Sequence, residues 1–591
     1  MVSNKKNIKP EKAPKAAKAA VFIPSGHPRE GLPPVKWRLM LVAGCLLSFI
    51  NGYDVSNVAN TQVAIYKAFG RVELLPWVSL AYSLVNAACI PLFRQLTHIF
   101  ELKTMTILAV VLVMASAALT GAAPSMEAII VGRAMLGVGG ALSYQLILTY
   151  NVIFALPAEL GLVQAMVGAC FAIGLLTGPL IGGGFTENLQ ATWRWAFYIV
   201  IVMGAVALAI NIVTYPRFRV PSSKSKATRL REVDWLGCVL HMATLVLLGF
   251  ATIGGGSTWP WGSGSATAIY VVFGVVLVAY ILQQTFSIGT APDRRILPIA
   301  AFTTSPSVLL VTICNVCAAM AYGVTLYYTP LYFAFTRGEN PVAAAVRLLP
   351  FIGTFIIMIF VAGGALPKVR YYMVFFVTGA VLLLLGSGLW QLVRPDTPES
   401  SVLGFEALIG LGCGLVWSLG MPVASVLLPK SMQFDVAMMY NLSQLGAVAV
   451  SLSIAGAVFQ NVGRSFVQDA VERGGGGATF SDHEYLELLT GVSSDLIVRA
   501  GQIDPALAAD VVAAVTAVIV RLFWIVFAAG LLSLGCAALM KFEALDFVGA
   551  GAETGKPAVD GAAAEAAVAE TGVNADVGAE ARSGDGYTDA R

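Results

Sequence analysis

Charge is scarce in this sequence. Asp, Glu, Lys and Arg together make up 12% of its residues, whereas soluble domains contain about 25%. Hydrophobic residues make up 57%. A soluble protein of this composition would expose apolar patches much larger than those on ordinary soluble surfaces. The composition therefore excludes an ordinary soluble protein and indicates a membrane protein.

Histidine and cysteine are also scarce, and their positions exclude several kinds of site. The four histidines are scattered, and no group of His, Cys, Asp and Glu has the spacing of metal ligands. All eight cysteines lie inside apolar runs, so we expect no extracellular disulfide framework. The sequence predicts neither a metal site nor a bound cofactor.

A cleavable signal peptide is missing as well. The first residues are polar and rich in lysine and proline, and no apolar stretch of about 7–15 residues with a small-residue cleavage site follows them. We predict that 1–36 is a disordered cytoplasmic tail and that the first span directs membrane insertion. The segment 542–591 is rich in Ala, Gly and acidic residues, and we predict a second disordered cytoplasmic tail there.

Long apolar runs dominate the rest of the chain. A helical span needs about 20 mostly apolar residues, and fourteen runs meet this requirement. Lipid-exposed strands would leave backbone groups unpaired, and the alternating segments of a transmembrane barrel are missing, so we predict an all-α integral membrane protein. The runs cover 37–59, 74–95, 104–122, 127–150, 160–184, 193–214, 232–254, 266–287, 304–335, 342–366, 370–393, 402–428, 433–462 and 517–541.

The runs fall into groups of six, two and six. We predict a six-helix half at 37–214, a basic loop at 215–231, two extra helices at 232–287 and a second six-helix half at 288–541. The second half includes the longest polar loop, at 463–516. We place that loop outside the cell and interpret it as a variable surface loop rather than a cap over the outer mouth of the helix bundle.

Basic residues orient the chain, because cytoplasmic loops carry an excess of Lys and Arg. The strongest marker is the basic loop, which contains Arg217, Arg219, Lys224, Lys226, Arg229 and Arg231. We interpret it as a solvated loop facing lipid head groups rather than as a nucleic-acid site. An even number of spans then places both termini in the cytoplasm. We expect the plasma membrane, with the vacuolar membrane as the alternative.

Two ionisable residues lie deep in predicted spans. An ionisable residue at membrane depth costs at least ~2.5–3.5 kcal/mol and so indicates a function or a partner. Asp54 lies near the middle of span 1, and two interpretations stay open for it: a carboxylate that loads and releases a proton, or the structural partner of an arginine. Arg133 in span 4 does not release its proton, so we expect it to tune a carboxylate, hold an anion or act in gating.

Four further ionisable residues in the spans have simpler explanations. Arg347, Glu406 and Arg521 lie near predicted span ends, where side chains reach the membrane surface by snorkelling. His241 is interpreted as a packing residue. The sequon at Asn441 falls inside a span, so we do not expect it to be glycosylated.

Glycines cluster in spans 4 and 5. Small residues at every third or fourth position let helices approach closely, and an internal proline allows a kink. We expect a pliable pair of helices next to the buried arginine. The positions are Gly137 and Gly139 in span 4 and Gly174, Gly178, Pro179, Gly182 and Gly183 in span 5.

These motifs together resemble those of the major facilitator superfamily and, more narrowly, of the fourteen-span drug:proton antiporters in the branch common in filamentous fungi. The resemblance covers 40–541, and its span-5 pattern is the most diagnostic because uptake members generally lack it. The matching stretches are Asp54-Val-Ser-Asn57-Val-Ala, Arg133 to Gly140, Gly174 to Gly184, Trp193 to Ile199, Asp234 to Gly237, Tyr327 to Phe333, Arg337 to Pro341, and Arg347 to Pro350.

The resemblance implies a fold and a mechanism. The fold would be two six-helix halves plus two extra spans, and the mechanism would be alternating access driven by the proton gradient, with the proton as the coupling ion. A bulky, mostly apolar organic molecule, such as a drug, toxin or secondary metabolite, would bind between the halves of a monomer. Asp54 and Arg133 become the candidates for proton coupling. Tyr327, Tyr328 and Arg347 become the candidates in the second half.

The sequence departs from the family pattern in the loop after span 2. That loop usually carries a glycine, an aspartate and basic residues that lock neighbouring helices. Here Arg94 replaces the glycine and His98 the aspartate, while Lys103 keeps the basic end. In span 4, Leu136 stands where a glutamine is expected. We interpret this as a degenerate gate loop, in which the case for the usual gate salt bridge is weakened.

Three other functions stay open. An uptake transporter for a siderophore or a basic amino acid would use the same fold. A membrane-embedded enzyme would need convergent acid, base or nucleophilic residues in its spans, and we find none. A membrane sensor that transports nothing would use the acidic tail as a docking segment, but the sequence contains no recognisable signalling domain.

Overall fold

The computed structural model describes residues 27–70, 74–187, 190, 192–255, 259–473, 485, 489 and 505–547. These residues form helices and loops, with two isolated bridges and no β-strand among them. Fourteen of the described helices are long and apolar enough to cross a membrane. The prediction of an all-α, multi-pass membrane protein with fourteen spans is confirmed.

The first six spanning helices form the N-terminal half. α1 packs along α5 and α2 along α4, while α3 lies against α4 and α6. The six helices are α1 (Pro34–Phe69), α2 (Leu75–Ile99), α3 (Leu102–Ala122), α4 (Met126–Phe154), α5 (Pro157–Glu187) and α6 (Trp195–Thr214).

Two extra spanning helices follow a short helix in the basic loop. The short helix is α7 (Lys226–Arg231), and the spanning pair is α8 (Trp235–Gly254) and α9 (Gly264–Phe286). The carboxylate of Asp234 caps α8 by accepting a hydrogen bond from Gly237 N at 2.9 Å. α8 lies against α2. Only 11% of the most apolar part of α9 is buried, which makes α9 a peripheral helix.

The remaining helices form the C-terminal half. Two predicted spans are interrupted: 402–428 consists of α15 and α16, and 433–462 begins with α17 and continues into α18 through a π-helical turn at Leu442–Gly446. Such turns are frequent at functional sites. The helices are α10 (Ile299–Thr304), α11 (Pro306–Arg337), α12 (Pro341–Val346), α13 (Leu349–Val369), α14 (Tyr372–Trp390), α15 (Glu399–Trp417), α16 (Gly420–Leu427), α17 (Gln433–Asn441), α18 (Ala447–Arg473) and α19 (Pro505–Ala538).

Helix ends define two faces of the bundle. We call the face at which α1 begins the N-terminal face, and it includes the α2–α3, α4–α5 and α13–α14 turns. Arg29, just before α1, donates to Glu159 at the start of α5 at 3.4 Å on this face. The other face, where α11 ends and α13 and α15 begin, is called the opposite face.

Three predicted segments have ends that differ from the structure. The loop predicted at 463–516 is wrong at both ends, because α18 runs to Arg473 and α19 begins at Pro505. Val467, Ala470 and Val471 are buried and extend the apolar side of α18 beyond the membrane-length run. Most of the intervening chain lies outside the described residues.

The predicted disordered tails are also too long at their inner ends. Residues 27–36 include a 3₁₀ turn at Pro28–Gly31 and the start of α1, and the guanidinium of Arg29 lies 4.1 Å from the ring centre of Trp37. At the other end, Leu545 N donates to Arg370 O at 3.0 Å. The rest of both predicted tails, 1–26 and 548–591, lies outside the described residues.

Candidate functional site

Asp54 and Arg133, the two predicted coupling residues, meet inside the N-terminal half. Arg133 Nη1 donates to Asp54 Oδ2 at 2.6 Å, and Nη2 donates to the backbone oxygen of Asp54 at 3.2 Å. Arg133 Nε donates to Val78 O at 3.1 Å. Both side chains are buried, with 3% exposure for Asp54 and 0% for Arg133. Such a pair is strongly destabilised when one partner is lost.

The second carboxylate oxygen of Asp54 takes no part in the ion pair. Asp54 Oδ1 is buried and has no hydrogen-bond partner among the described residues. The Tyr82 ring lies beside the pair, 4.9 Å from the Arg133 guanidinium. Its hydroxyl donates to Asn51 Oδ1 at 3.2 Å, and Asn51 Nδ2 donates to Ser143 Oγ at 3.1 Å. A polar chain therefore runs from the ion pair toward the middle of α4, and the oxygen without a partner can accept a proton.

The glycines of span 4 let three helices close around this pair. A Cβ atom on Gly137 would lie 2.5 Å from Tyr82 O on α2, and one on Gly139 would lie 2.9 Å from the Val113 side chain on α3. A Cβ on Gly140 would reach the Tyr82 hydroxyl at 2.6 Å. Real Cβ atoms do not come this close, so larger residues would push α2 and α3 away from the ion pair.

The span-5 glycines have the same effect between α5 and α1. A Cβ on Gly174 would lie 2.7 Å from Tyr53 N, and a Cβ on Gly178 would overlap the side chain of Ser56. Gly182 faces Asn57 O, with a Cβ distance of 2.8 Å. Direct backbone contact thus fixes the α1 segment that carries Asp54. Pro179 lies inside α5, and Gly183 is buried.

The gate-loop positions form a contact between the halves. Arg94 on α2 makes an ion pair with Asp435 on α17, and its Nη1 donates to Arg295 O at 3.3 Å. The side chains of the pair are 11% and 12% exposed. The His98 ring stacks near Phe434, with ring centres 4.3 Å apart. The degenerate gate loop therefore does make a salt bridge, and its acidic partner comes from α17 rather than from the loop itself.

Lys103, the third gate-loop position, does not join this contact. Lys103 Nζ donates to Ile212 O at the end of α6 at 2.6 Å and is exposed. It ties α3 to α6 within the N-terminal half. Only two of the three predicted gate positions therefore lie between the halves.

Further contacts between the halves escaped the sequence analysis. Asn441 Nδ2, just before the π-helical turn, donates to Gln145 Oε1 on α4 at 3.0 Å. Near the N-terminal face, a Cβ on Gly161 of α5 would lie 2.9 Å from Gly363 O of α13, and Gln164 Nε2 lies 2.6 Å from Met421 Sδ. The side-chain amides of Asn441, Gln145 and Gln164 stand alone in apolar runs, and this was the one signal in the sequence that they need partners. The spacing of residues within one span does not show which distant span supplies the partner.

An aromatic cluster lies beside this junction. The Trp417 ring packs 4.9 Å from the ring of Tyr322 and 5.5 Å from that of Phe355. Gly168 of α5 faces the same indole from the other half, with a Cβ distance of 3.4 Å. All three rings are almost completely buried. The cluster provides apolar surface where the halves meet, as a bulky apolar molecule would require.

The predicted residues of the second half are divided between two places. Arg347 donates three hydrogen bonds to Glu339, of 2.5, 2.9 and 3.1 Å, and makes an ion pair with Glu399, so it lies in a surface cluster on the opposite face. Tyr328 is buried, with its ring 5.6 Å from Phe459 of α18. Tyr327 is 51% exposed. Of these three residues, only Tyr328 is buried between the helices.

Snorkelling is wrong for Glu406. Its side chain is 0% exposed, because the face of α15 on which it lies turns toward the other helices of the C-terminal half. Arg347 makes its ion pairs at the surface. The guanidinium of Arg521 lies 4.3 Å from the centre of the Phe466 ring. His241 packs in the helix pair α8–α9, where its Nδ1 lies 3.1 Å from the Tyr280 hydroxyl. Asn441 of the sequon is 0% exposed.

Comparisons with known proteins decide the family. The family model described as "Major Facilitator Superfamily" matches residues 44–452. The chain belongs to the major facilitator superfamily. The chain is 32% identical to the efflux pump patC of Aspergillus clavatus over 72% of this chain and 78% of the relative. It is also 32% identical to the efflux pump DEP3 of Alternaria brassicicola, over 72% and 75% of the two chains.

A broader match and a solved structure agree with this family. The MFS-type transporter pgmG of Aspergillus terreus is 28% identical over 86% of this chain and 89% of its own length. The structure of the proton:xylose symporter XylE superposes with a TM-score of 0.53 and 13% identity, covering 87% of this chain and 98% of the symporter chain. At that identity XylE shows the fold alone. The resemblance seen in the sequence motifs is confirmed: this is a multi-pass transporter with relatives among fungal efflux pumps.

Proposed function

We propose that this transporter exports a bulky, mostly apolar organic molecule in exchange for protons, by alternating access between its two halves. The buried Asp54–Arg133 pair carries the proposal, because it places a carboxylate oxygen that has no hydrogen-bond partner in the described part of the chain next to a fixed positive charge. Protonation of Asp54 would weaken its ion pair with Arg133, and deprotonation would restore it. The relatives named as efflux pumps support the direction of transport.

The contacts between the halves supply the two-state element that such a mechanism needs. On the N-terminal face the halves meet through Arg94 and Asp435 and through the backbones around Gly161 and Gly363. Nearer the middle they meet through Asn441 and Gln145. Opening this face requires all three contacts to separate together. The aromatic cluster around Trp417 would then become accessible to the exported molecule from that side.

The orientation in the membrane and the oligomeric state are part of the same proposal. We propose that the N-terminal face is cytoplasmic, that the protein acts as a monomer in the plasma membrane, and that the proton is its only coupling ion. We also propose that the protein moves its substrate across the membrane without converting it chemically. Metabolites that accumulate inside a deletion strain, with and without a protonophore, would name the exported compound.

Asp54→Asn tests the coupling site directly. In proteoliposomes with an imposed pH gradient, we expect the variant to lose gradient-driven substrate movement while it still exchanges substrate across the membrane without a gradient. The matched control is Asp234→Asn, another buried carboxylate, which accepts hydrogen bonds from Gln283 and Gln284 outside the two halves. Normal gradient-driven transport by Asp54→Asn would refute the assignment. Movement of substrate into cells would instead favour uptake.

A further inference from the structure

A buried carboxylate in the C-terminal half has no part in the mechanism described so far. Glu406 lies on α15, in line with the buried residues Val402, Ile409 and Cys413. Its side chain is 0% exposed. Both of its carboxylate oxygens are buried without a hydrogen-bond partner among the described residues. Every other residue on this stripe is apolar or small, so packing alone would not select a glutamate here.

Two helices hold the backbone on either side of Glu406. Thr354 Oγ1 on α13 donates to Ala407 O at 3.1 Å. On α14, a Cβ on Gly386 would lie 2.9 Å from both Phe405 O and Ile409 N. α15 is therefore in direct contact with both neighbours at the level of Glu406. An organic cation or a hydrated metal ion does not fit between these helices while they stay packed, whereas a proton does.

The first turn of α13 packs against the Glu406 side of α15, because a Cβ on Gly410, one helical turn after Glu406, would overlap Phe351 O. The N-terminus of a helix carries a partial positive charge that favours an anion. An ionised carboxylate without a partner is far more costly to bury than a neutral carboxylic acid. The site therefore suits both forms: the neutral acid while α13 and α15 are packed, and the carboxylate once water reaches the helix terminus.

Glu399 connects this position to the opposite face. Glu399 lies seven residues before Glu406 on α15, so the two carboxylates are on the same side of the helix and about 10 Å apart along its axis. Glu399 also belongs to the surface cluster with Arg347 and Glu339. α13 has Lys368 only at its far end, and α14 has Tyr372 only at its far end. The third helix packed against α15 is α11, and its titratable groups are Cys314, Cys317, Tyr322, Tyr327, Tyr328, Tyr332 and Arg337.

We propose that Glu406 is a second proton-binding site, separate from Asp54, which is loaded from the opposite face. An O–H bond forms on one Glu406 oxygen when a proton arrives from water at the surface cluster, and the same bond breaks when α13 and α15 part and water accepts the proton. The binding of a proton stands on the geometry of the C-terminal half alone. Its use in driving export rests on the proposed function.

Infrared spectroscopy tests the bound proton without any transport. In full-length protein in lipid nanodiscs at neutral pH, we expect a carboxylic-acid C=O band that shifts in D₂O and is lost in Glu406→Gln. Gln keeps the size of the protonated side chain, so the variant is expected to fold. The band should persist in Glu399→Gln and in Asp54→Asn. A band of equal intensity in the wild type and Glu406→Gln would overturn the proposal.

Transport measurements separate this proposal from the proposed function. We expect Glu406→Gln to reduce pH-gradient-driven substrate movement at least tenfold while substrate exchange without a gradient stays within twofold of the wild type. If the infrared band is lost but gradient-driven movement is unchanged, the coupling role of Glu406 is overturned. If Asp54→Asn stays fully coupled while Glu406→Gln behaves as expected, the assignment of Asp54 fails and Glu406 becomes the coupling site.

Discussion

Removing one partner of the Arg94–Asp435 ion pair should open the N-terminal face. Loss of one member of a buried ion pair costs about 3–5 kcal/mol because the other charge stays buried without compensation. Both side chains are nearly buried. For the variant Asp435→Leu we take a cost of about 3 kcal/mol, the lower end of this range, because Arg94 stays in place and keeps its hydrogen bond to Arg295 O. At 1.4 kcal/mol per factor of ten, the equilibrium shifts roughly 100-fold toward separated halves.

Cysteine labelling would measure this shift. We would place one reporter, Gln164→Cys, in a chain whose native cysteines are replaced, because Gln164 is buried where α5 meets Met421. The labelling rate with a membrane-impermeant maleimide should rise roughly 100-fold in Asp435→Leu, in line with the population shift. The double variant Arg94→Leu, Asp435→Leu removes both charges, so its rate should fall back toward the reference.

The control for this experiment is an exposed ion pair within one half. Arg217 lies 3.6 Å from Glu101 and is 71% exposed, so Arg217→Gln should leave the labelling rate unchanged, as exposed pairs contribute little. Equal labelling rates in Asp435→Leu and the reference would refute the idea that this pair holds the N-terminal face closed. A double variant that labels faster than the single variant would refute the charge argument.

Three further expectations follow from other contacts. Gly178→Val should lower the thermal stability of the purified protein by several degrees, because a Cβ there overlaps α1, whereas Gly184→Val, with open space around it, should not. Asn441→Ala should accelerate reporter labelling as Asp435→Leu does, by roughly 5- to 100-fold, since its amide partner on α4 loses its bond. The hydrogen bond from Lys224 lowers the pKa of Glu232, so this contact is present at neutral pH and is lost as the pH falls through that lowered pKa, below the ordinary range of a glutamate. Hydrogen exchange in 222–232, corrected for intrinsic rates, should then rise at low pH in the wild type and be independent of pH in Glu232→Gln.

The sequence by itself determined the class of fold and one buried pair. Apolar run length fixed the number of spans, because lipid leaves the backbone no partner but its own helix. Asp54 and Arg133 could be singled out because a charge in a span needs a reason, and the glycine spacing in span 5 indicated close helix contact. These features depend on local composition and helical period, which one stretch of chain contains completely.

Tertiary structure alone decided how the gate is held and where Glu406 lies. Arg94 looked like the loss of a gate motif until α17 placed Asp435 against it. Glu406 looked like a surface residue because the predicted span started close to it, but the helix begins at Glu399 and its face turns inward. Both outcomes depend on which distant helix supplies the neighbouring surface. No periodicity within one span carries that information, because the direction of a helix face is set by the helices packed around it.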